Sequence, residues 1–377
     1  MKIVFTGGGT GGHFYPIIAI IESIKKICKE KKIITPKMYF FSVSPYSQGI
    51  LYDHDIEFKK VTAGKIRRYF SIKNFFDLFK TLWGSISTFF DLFDIFPDVV
   101  FGKGGYASFP TLLAARILRI PVFIHESDST PGLVNKWAGH FAKRIAVSYK
   151  QATAFFPENR TAYTGQPILA ERLTPLTEGV FEFFDFHEST PTIFIMGGSQ
   201  GSETLNNIVM DSLPELVKNF QIIHQTGENN ISVIKESADA ILLDSPNKKN
   251  YKPFGYLSSL EMSMASGCAS LVVSRAGSTI FEIASWGKPA IIVPIPEKTS
   301  HDQTKNAYAY ASTGSASVIE EDNLRPNIFL SEIHRILENK DLYQKMSVAA
   351  KAFFKPDAAD MIAKELLSIA LGHENLG

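Results

Sequence analysis

The chain has 377 residues, 45% apolar and 20% charged, with a formal net charge of +1 and two cysteines. That composition excludes a disordered chain, a disulfide-stapled module and a surface built throughout for nucleic acid. Cys28 and Cys268 lack metal-ligand spacing, no run of about 18 apolar residues marks a membrane span, and glycines interrupt the first apolar run too early for a signal peptide. The expectation is a cytoplasmic α/β enzyme long enough for two domains.

Ile3–Thr6 reads as a strand that breaks into Gly7-Gly8-Gly9-Thr10-Gly11-Gly12-His13, and after Pro16 the isoleucines at 17, 18, 20, 21 and 24 take helical spacing. Strand, glycine turn and helix start in that order suit an anion, because backbone N–H groups approach it without Cβ interference and the helix dipole favours negative charge. The turn formally matches the dinucleotide fingerprint. The second strand, Met38–Val43, is followed by Ser44-Pro45 and carries no acid to hold a nicotinamide dinucleotide's ribose, so another nucleotide is expected. His13 falls at or just inside the helix start, where the dipole disfavours imidazolium and leaves a ring able to take a proton; the alternative is a cap or a packed ring.

The most aromatic region runs from Arg67 to Phe96. Its half after Lys80 reads as a crossover helix packed on the sheet and ended by Pro97. Before that, Lys59, Lys60, Lys65, Arg67, Arg68, Lys73 and Lys80 stand among Tyr69, Phe70, Phe75, Phe76 and Phe79. This stretch is either a membrane-surface segment or a solvated face over ordinary core. Strand Val99–Phe101 enters another glycine turn, Gly102-Lys103-Gly104-Gly105-Tyr106, which is a second anion site or a tightly packed βα turn. Strand Val122–His125 ends at Glu126-Ser127-Asp128, and Pro131 to Asn135 enters the next helix. Open α/β sheets place ligands at such strand ends, and one acid pair is too little for a metal.

After Arg144–Val147 a domain boundary is expected near Thr164-Gly165-Gln166-Pro167, which gives domains at 1–164 and 165–355. The helical tail, 356–377, crosses back to the first domain. Thr192–Met196 repeats the opening pattern by running into Gly197-Gly198-Ser199-Gln200-Gly201, and Gln221–Gln225, Leu271–Ser274 and Ala290–Pro294 continue the alternation. Two Rossmann-like, doubly wound parallel sheets follow. Behind Ser274, the turn Gly277-Ser278-Thr279 leads to Glu282, whose carboxylate can accept two hydrogen bonds from a ribose diol. His301-Asp302-Gln303 and Asn306 offer groups suited to sugar hydroxyls. Each of these also reads as an ordinary polar face.

The ordered series TGGGTGGH, GKGGYAS, HESDSTPGLVNK, GQP, GGSQGSETLN, HQTG, SRAGSTIFEIASWGKPAIIVPIP and HDQTKNA resembles the MurG family over nearly the whole chain. The resemblance implies a GT-B fold, two Rossmann-like domains facing a central cleft. It implies an inverting glycosyltransferase of peptidoglycan synthesis that moves GlcNAc from UDP-GlcNAc to the 4-hydroxyl of MurNAc in undecaprenyl-pyrophosphoryl-MurNAc-peptide, lipid I to lipid II. It implies no metal or other cofactor, and a peripheral place on the cytoplasmic face of the cell membrane.

Carried onto this sequence, His13 is the candidate base, oriented by Glu126 or Asp128. Thr10, Gly11, Gly12, Asp128, Ser199, Gln200, Gly277, Ser278, Thr279, Glu282, Gln303 and Asn306 fall to the donor. Gly104, Gly105, Tyr106 and Asn135 fall to the acceptor. Asp128 stands where the family usually has asparagine, and Leu169 where it has a donor-contacting arginine, a loss that Arg172 could make good. The loop from Arg275 to Glu282 is one residue shorter than usual. The alternative readings are a UDP-GlcNAc 2-epimerase or another glycolipid transferase, and, outside enzymes, a silent sugar-nucleotide-binding scaffold.

Overall fold

The computed structural model describes residues 1–64, 72–198, 200–296 and 303–372, with the side chains of 72–76 left aside. The chain divides into two units, Met1–Leu169 with Lys355–Gly377, and Ala170–Phe354.

The first unit alternates β1 (Lys2–Thr6), α1 (Gly11–Lys31), β2 (Lys37–Ser42), α2 (Gln48–Asp53), β3 (Ile56–Lys60), α3 (Ile72–Ile95), β4 (Val99–Gly102), α4 (Phe109–Ile117), β5 (Val122–Glu126), α5 (Leu133–Ala138), β6 (Arg144–Val147) and β7 (Thr161–Tyr163). Its strands lie in the order β3-β2-β1-β4-β5-β6-β7, parallel throughout. The second unit opens with two short helices, α6 (Ala170–Leu173) and α7 (Val180–Phe184). It then runs β8 (Thr192–Met196), α8 (Glu203–Asn219), β9 (Gln221–Gln225), α9 (Ile231–Ile241), β10 (Tyr251–Phe254), α10 (Ser259–Cys268), β11 (Ala269–Ser274), α11 (Thr279–Trp286), β12 (Ala290–Ile292), α12 (Gln303–Ala311), β13 (Ala316–Val318), α13 (Pro326–Glu338) and α14 (Lys340–Phe353). Its order is β10-β9-β8-β11-β12-β13, again all parallel.

The last helix, α15 (Ala358–Leu371), belongs to the first unit. Its Ile362, Leu366 and Leu367 join Ile17, Ile20, Ile21 and Ile24 of α1 in one buried cluster with β1, β2 and β4. An ion pair of 2.7 Å between Arg144 and Glu365 ties it to β6. Helices on both faces leave the inner strands no polar side, which is why β1, β4 and β8 are continuous apolar runs. Both cysteines are buried free thiols.

The two sheets place their loops in the same way. In each, strand order reverses between two neighbours, β1 and β4 in the first unit and β8 and β11 in the second. Their ends are level, with Thr6 opposite Gly102 and Met196 opposite Ser274. Such switch points, at strand C-termini, are where open α/β sheets bind ligands.

One expectation is corrected. Beyond Lys80, α3 does not pack by its aromatic face. Gly84, Thr88, Leu92 and Ile95 form its buried stripe, with Gly84 so close to the Thr62 carbonyl that a Cβ would overlap it. Small residues bring the helix axis nearer its neighbours than rings would allow. Phe79, Leu82, Trp83, Ile86, Phe90 and Phe93 therefore face outward, with Trp83 69% and Phe90 63% exposed. Lys65, Arg67, Arg68, Tyr69 and Phe70, and the side chains of Lys73, Phe75 and Phe76, lie outside the described residues. Among the described residues no helix is long and apolar enough to cross a membrane.

Candidate active site

In the first unit the turn after β1 meets the turn after β4. Thr10 is the N-cap of α1 in extended conformation, and no acidic residue occupies the first turn of that helix. The Thr10 side chain does not cap the N-terminal amides of α1, an end whose dipole favours negative charge. His13 lies in this first turn, its N–H donated to the Thr10 carbonyl (3.1 Å). Its ring is held at Nδ1, 2.9 Å from Thr10 Oγ1, and lies across Gly8, where a Cβ would stand 3.0 Å from that nitrogen. Gly105 (φ 81°) closes on the same place, since its Cβ would stand 3.2 Å from Gly8 Cα and 3.5 Å from His13 Nε2. Two peptide backbones pass here in contact, and a side chain on either would part them. Tyr106, partly exposed, starts a short 3₁₀ turn, Tyr106–Ser108, fastened by Ser108 Oγ to the Gly105 carbonyl (2.8 Å).

Glu126 ends β5 and is buried. One carboxylate oxygen accepts from the Asp128 N–H (2.9 Å); the other accepts from the Gly132 N–H (3.1 Å) and Asn135 Nδ2 (2.9 Å). Asn135, on α5, also donates to the His125 carbonyl (3.0 Å), so two acceptors fix its amide. Gly104 (φ 89°) lies directly over it, where a Cβ would come 2.7 Å from Nδ2. Glu126 thus shapes the loop that carries Asp128 and leads to Asn135. Burial, and then the Asp128 charge, push its carboxyl up to about 7.

Lys103, between Gly102 and Gly104 in the turn after β4, is also buried, 1% exposed. Its ammonium meets His125 Nδ1 (2.6 Å), Ser127 Oγ and Gln166 Oε1 (3.3 Å). Loss of water pulls its pKa down to about 7, against the opposing pull of Glu126 and Asp128. Burial and then the Lys103 charge hold His125 well below the usual imidazole range.

The second unit repeats the geometry with different chemistry. Gln200, exposed, lies in the turn after β8, just before Ser202, whose Oγ caps α8 at Leu205 N–H (3.3 Å). After β11, Arg275 donates to Ser202 Oγ (Nε 3.0 Å, Nη2 2.5 Å) and pairs with Glu321 (2.5 Å), which joins the two switch-point loops. Gly277 and Ser278 lead into α11, which begins at Thr279, and Glu282 lies in its first turn. The Glu282 carboxylate is 3.4 Å from Arg172 Nη1, and both side chains are nearly enclosed. Burial raises its pKa, and the Arg172 guanidinium opposes that rise. Asn306 Nδ2 donates to the Ala276 carbonyl (3.2 Å), and Gln303 Oε1 accepts from the Ile295 N–H (3.2 Å), so α12 steadies the same loops.

The named site residues therefore form two sets, one in each unit. Thr10, Gly11, Gly12, His13, Gly104, Gly105, Tyr106, Glu126, Asp128 and Asn135 belong to the first unit. Gln200, Gly277, Ser278, Thr279, Glu282, Gln303 and Asn306 belong to the second. Ser199 lies outside the described residues. Sequence reasoning passed over Lys103 and the polar groups that grip it. The available signal was a lysine set inside a glycine turn directly after an apolar strand. Among the described residues no group of three or more His, Cys, Asp or Glu side chains could hold a metal ion.

Two doubly wound units, each with a glycine turn at its switch point, are the architecture of the GT-B fold class. The Glycosyltransferase family 28 N-terminal domain matches residues 3–147, and the C-terminal domain of the same family matches 192–362. The chain belongs to glycosyltransferase family 28 and, within it, to the MurG family. A Treponema denticola protein named UDP-N-acetylglucosamine–N-acetylmuramyl-(pentapeptide) pyrophosphoryl-undecaprenol N-acetylglucosamine transferase is 37% identical over 346 residues, 87% of this chain and 86% of that one. A Bacillus thuringiensis protein of that name, numbered 2, is 35% identical over 345 residues, 91% of this chain and 93% of its own. The crystal structure of Acinetobacter baumannii MurG aligns with a TM-score of 0.75 at 25% identity, covering 98% of this chain and all (100%) of that one. A Neisseria meningitidis UDP-GlcNAc 2-epimerase shares the fold, with a TM-score of 0.67 at 16% identity over 98% of this chain and 100% of that one.

Proposed function

We propose that this protein transfers GlcNAc from UDP-GlcNAc to the MurNAc 4-hydroxyl of undecaprenyl-pyrophosphoryl-MurNAc-peptide, converting lipid I to lipid II. The observation that carries this reading is the match at 35–37% identity, along most of both chains, to proteins named for that transfer. The acceptor's 4-hydroxyl attacks C1 of the donor sugar from the face opposite UDP. The new C1–O bond forms as the C1–O bond to the diphosphate breaks, so the anomeric configuration inverts. His13 takes the hydroxyl proton through Nε2, with its other proton on Nδ1 donated to Thr10 Oγ1. Thr10, Gly11 and Gly12, at the start of α1, offset the charge gathering on the leaving diphosphate. Glu282 holds the donor's ribose, and Gln200, Gly277, Ser278 and Thr279 hold its phosphates and uridine. Gly104, Gly105, Tyr106 and Asn135 meet the acceptor.

The lipid acceptor lies in a bilayer, and the outward rings of α3 supply a surface for it. Phe79, Leu82, Trp83, Ile86, Phe90 and Phe93 make an apolar stripe on one helix, with Lys80 on the same helix and Lys59 and Lys60 earlier in the chain, at the end of β3. Buried rings and cations near anionic headgroups are what a peripheral helix needs.

The test is radiolabelled UDP-GlcNAc incubated with and without lipid I, and with and without EDTA. The expected result is label in the lipid fraction only when lipid I is present. A new sugar formed without acceptor would make the protein an epimerase instead.

A further inference from the structure

We propose that Lys103 is a positioning residue for the acceptor site, its buried ammonium binding the loop after β5 to the glycine turn after β4. This rests on the assignment of Gly104, Gly105 and Asn135 to the acceptor.

The sheet order sets four consecutive strands, β4 to β7, side by side, and residues at the ends of all four join one hydrogen-bond network around this side chain. Lys103 itself follows β4. His125, which takes the ammonium at Nδ1 (2.6 Å), lies near the end of β5, and Ser127, in contact with Nζ, follows that strand. Ser148, directly after β6, donates to Gln166 Oε1 (2.7 Å), and Gln166, beyond β7, faces the ammonium through the same oxygen (3.3 Å). With Nδ1 accepting, the His125 proton is on Nε2, which points to the Gly165 carbonyl (3.1 Å) and Ser148 Oγ (3.2 Å). The network has one direction throughout, from a single cation outward.

A buried ammonium is tolerated only with compensating charge and hydrogen bonds. Glu126 and Asp128 provide the charge, and both act on Lys103. Glu126 spends its oxygens on the Asp128 and Gly132 N–H groups and on Asn135. The ammonium thus holds Ser127 at one end of the loop while Glu126 holds its middle and far end. Asp128, where the family usually has asparagine, adds a second carboxylate that the same cation offsets. Loss of the cation removes the positive charge that offsets Glu126 and Asp128 and ends the contact that holds Ser127. The loop then moves away from Gly104, which lies over Asn135. Glu282 and the other donor residues of the second unit make none of these contacts, so most of the donor's grip stays as it was.

The experiment uses the full chain with three substitutions, Lys103→Met, Asp128→Asn and the two together. The Lys103→Met variant is expected to raise the KM for lipid I about tenfold, as loss of a charged buried hydrogen bond does, while UDP-GlcNAc affinity by calorimetry stays within about twofold. Adding Asp128→Asn should recover much of the lost affinity, which a purely structural defect would not allow. Hydrogen exchange at Asp128 and Gly132 N–H, read without any acceptor, should quicken in Lys103→Met and slow again in the double variant. If Lys103→Met does not fold, Ser127→Ala, which cuts only the loop's own contact, should show the same shift in exchange and KM at smaller size. Unchanged exchange and unchanged acceptor KM would overturn the proposal, as would equal losses for both substrates without rescue. Quickened exchange in a protein that transfers nothing to lipid I would leave the lock standing and remove the acceptor assignment.

Discussion

Thr10 Oγ1 and His13 Nδ1 stand 2.9 Å apart, a contact between the N-cap of α1 and a ring in its first turn. It holds one nitrogen and leaves Nε2 on the side of Gly105. A threonine that fixes the tautomer matters to the rate more than to the fold. Thr10→Val should lower kcat about tenfold, the scale of one lost hydrogen bond to a working imidazole, with Thr10→Ser close to wild type. Equal kcat in Thr10→Val and wild type would show that the contact orients nothing.

Arg172 and Glu282 form a nearly enclosed pair. Burial pushes the Glu282 carboxyl upward and Arg172 pulls it back. Without the guanidinium that carboxyl rises further, so a larger share of it is protonated at any given pH and accepts fewer hydrogen bonds. Arg172→Met should raise the KM for UDP-GlcNAc about tenfold at pH 7 and regain affinity as pH rises, because the acid then ionises. A defect that is the same at every pH would contradict this.

The inner strands were legible because both of their faces are covered, so burial alone writes an unbroken apolar run at β1, β4, β8 and β11. The strands that the pattern passed over, β3, β10 and β13, are edge strands. β3 ends in Lys59-Lys60 and β10 carries Lys252-Pro253, the residues that keep an edge from pairing. The glycine turns were legible because only glycine allows the approach of Gly105 to Gly8. Lys103 was not, since nothing local says whether a lysine's Nζ turns to solvent or inward. The outward rings of α3 were hidden for a related reason. Periodicity finds an apolar face but does not say what it meets, and here the closer packing through Gly84 decided the matter.

The α3 surface gives a clean separation of binding from chemistry. Trp83→Asp with Phe90→Asp should weaken sedimentation with anionic vesicles about tenfold or more, as loss of two buried rings implies. Turnover of a short-chain, water-soluble acceptor should be unchanged. Vesicle binding equal to wild type would remove α3 from the membrane surface.

His224, buried in β9 with Nδ1 2.8 Å from Tyr251 Oη, is pushed down to about 3 by burial. Unfolded, it titrates near about 6.5. As pH falls from that value toward 3, the unfolded chain takes a proton that the folded chain refuses. Stability therefore falls with falling pH, by at most about 1.4 kcal/mol per pH unit from this group. Urea unfolding of His224→Gln between about pH 5 and 6.5 should show a shallower fall than wild type, by up to one proton's worth of slope. An identical slope would mean that His224 takes up its proton in the folded chain as well.

Single-turnover transfer by wild type and His13→Ala, with labelled UDP-GlcNAc bound and lipid I in excess, tests the reaction and its base together. Wild type should deliver the label to lipid with inverted anomeric configuration, and His13→Ala should bind donor normally but transfer about 10²–10⁴-fold more slowly. Transfer by a folded His13→Ala at the wild-type rate would contradict the assignment of the base, and a wild-type product of retained configuration would contradict the displacement itself.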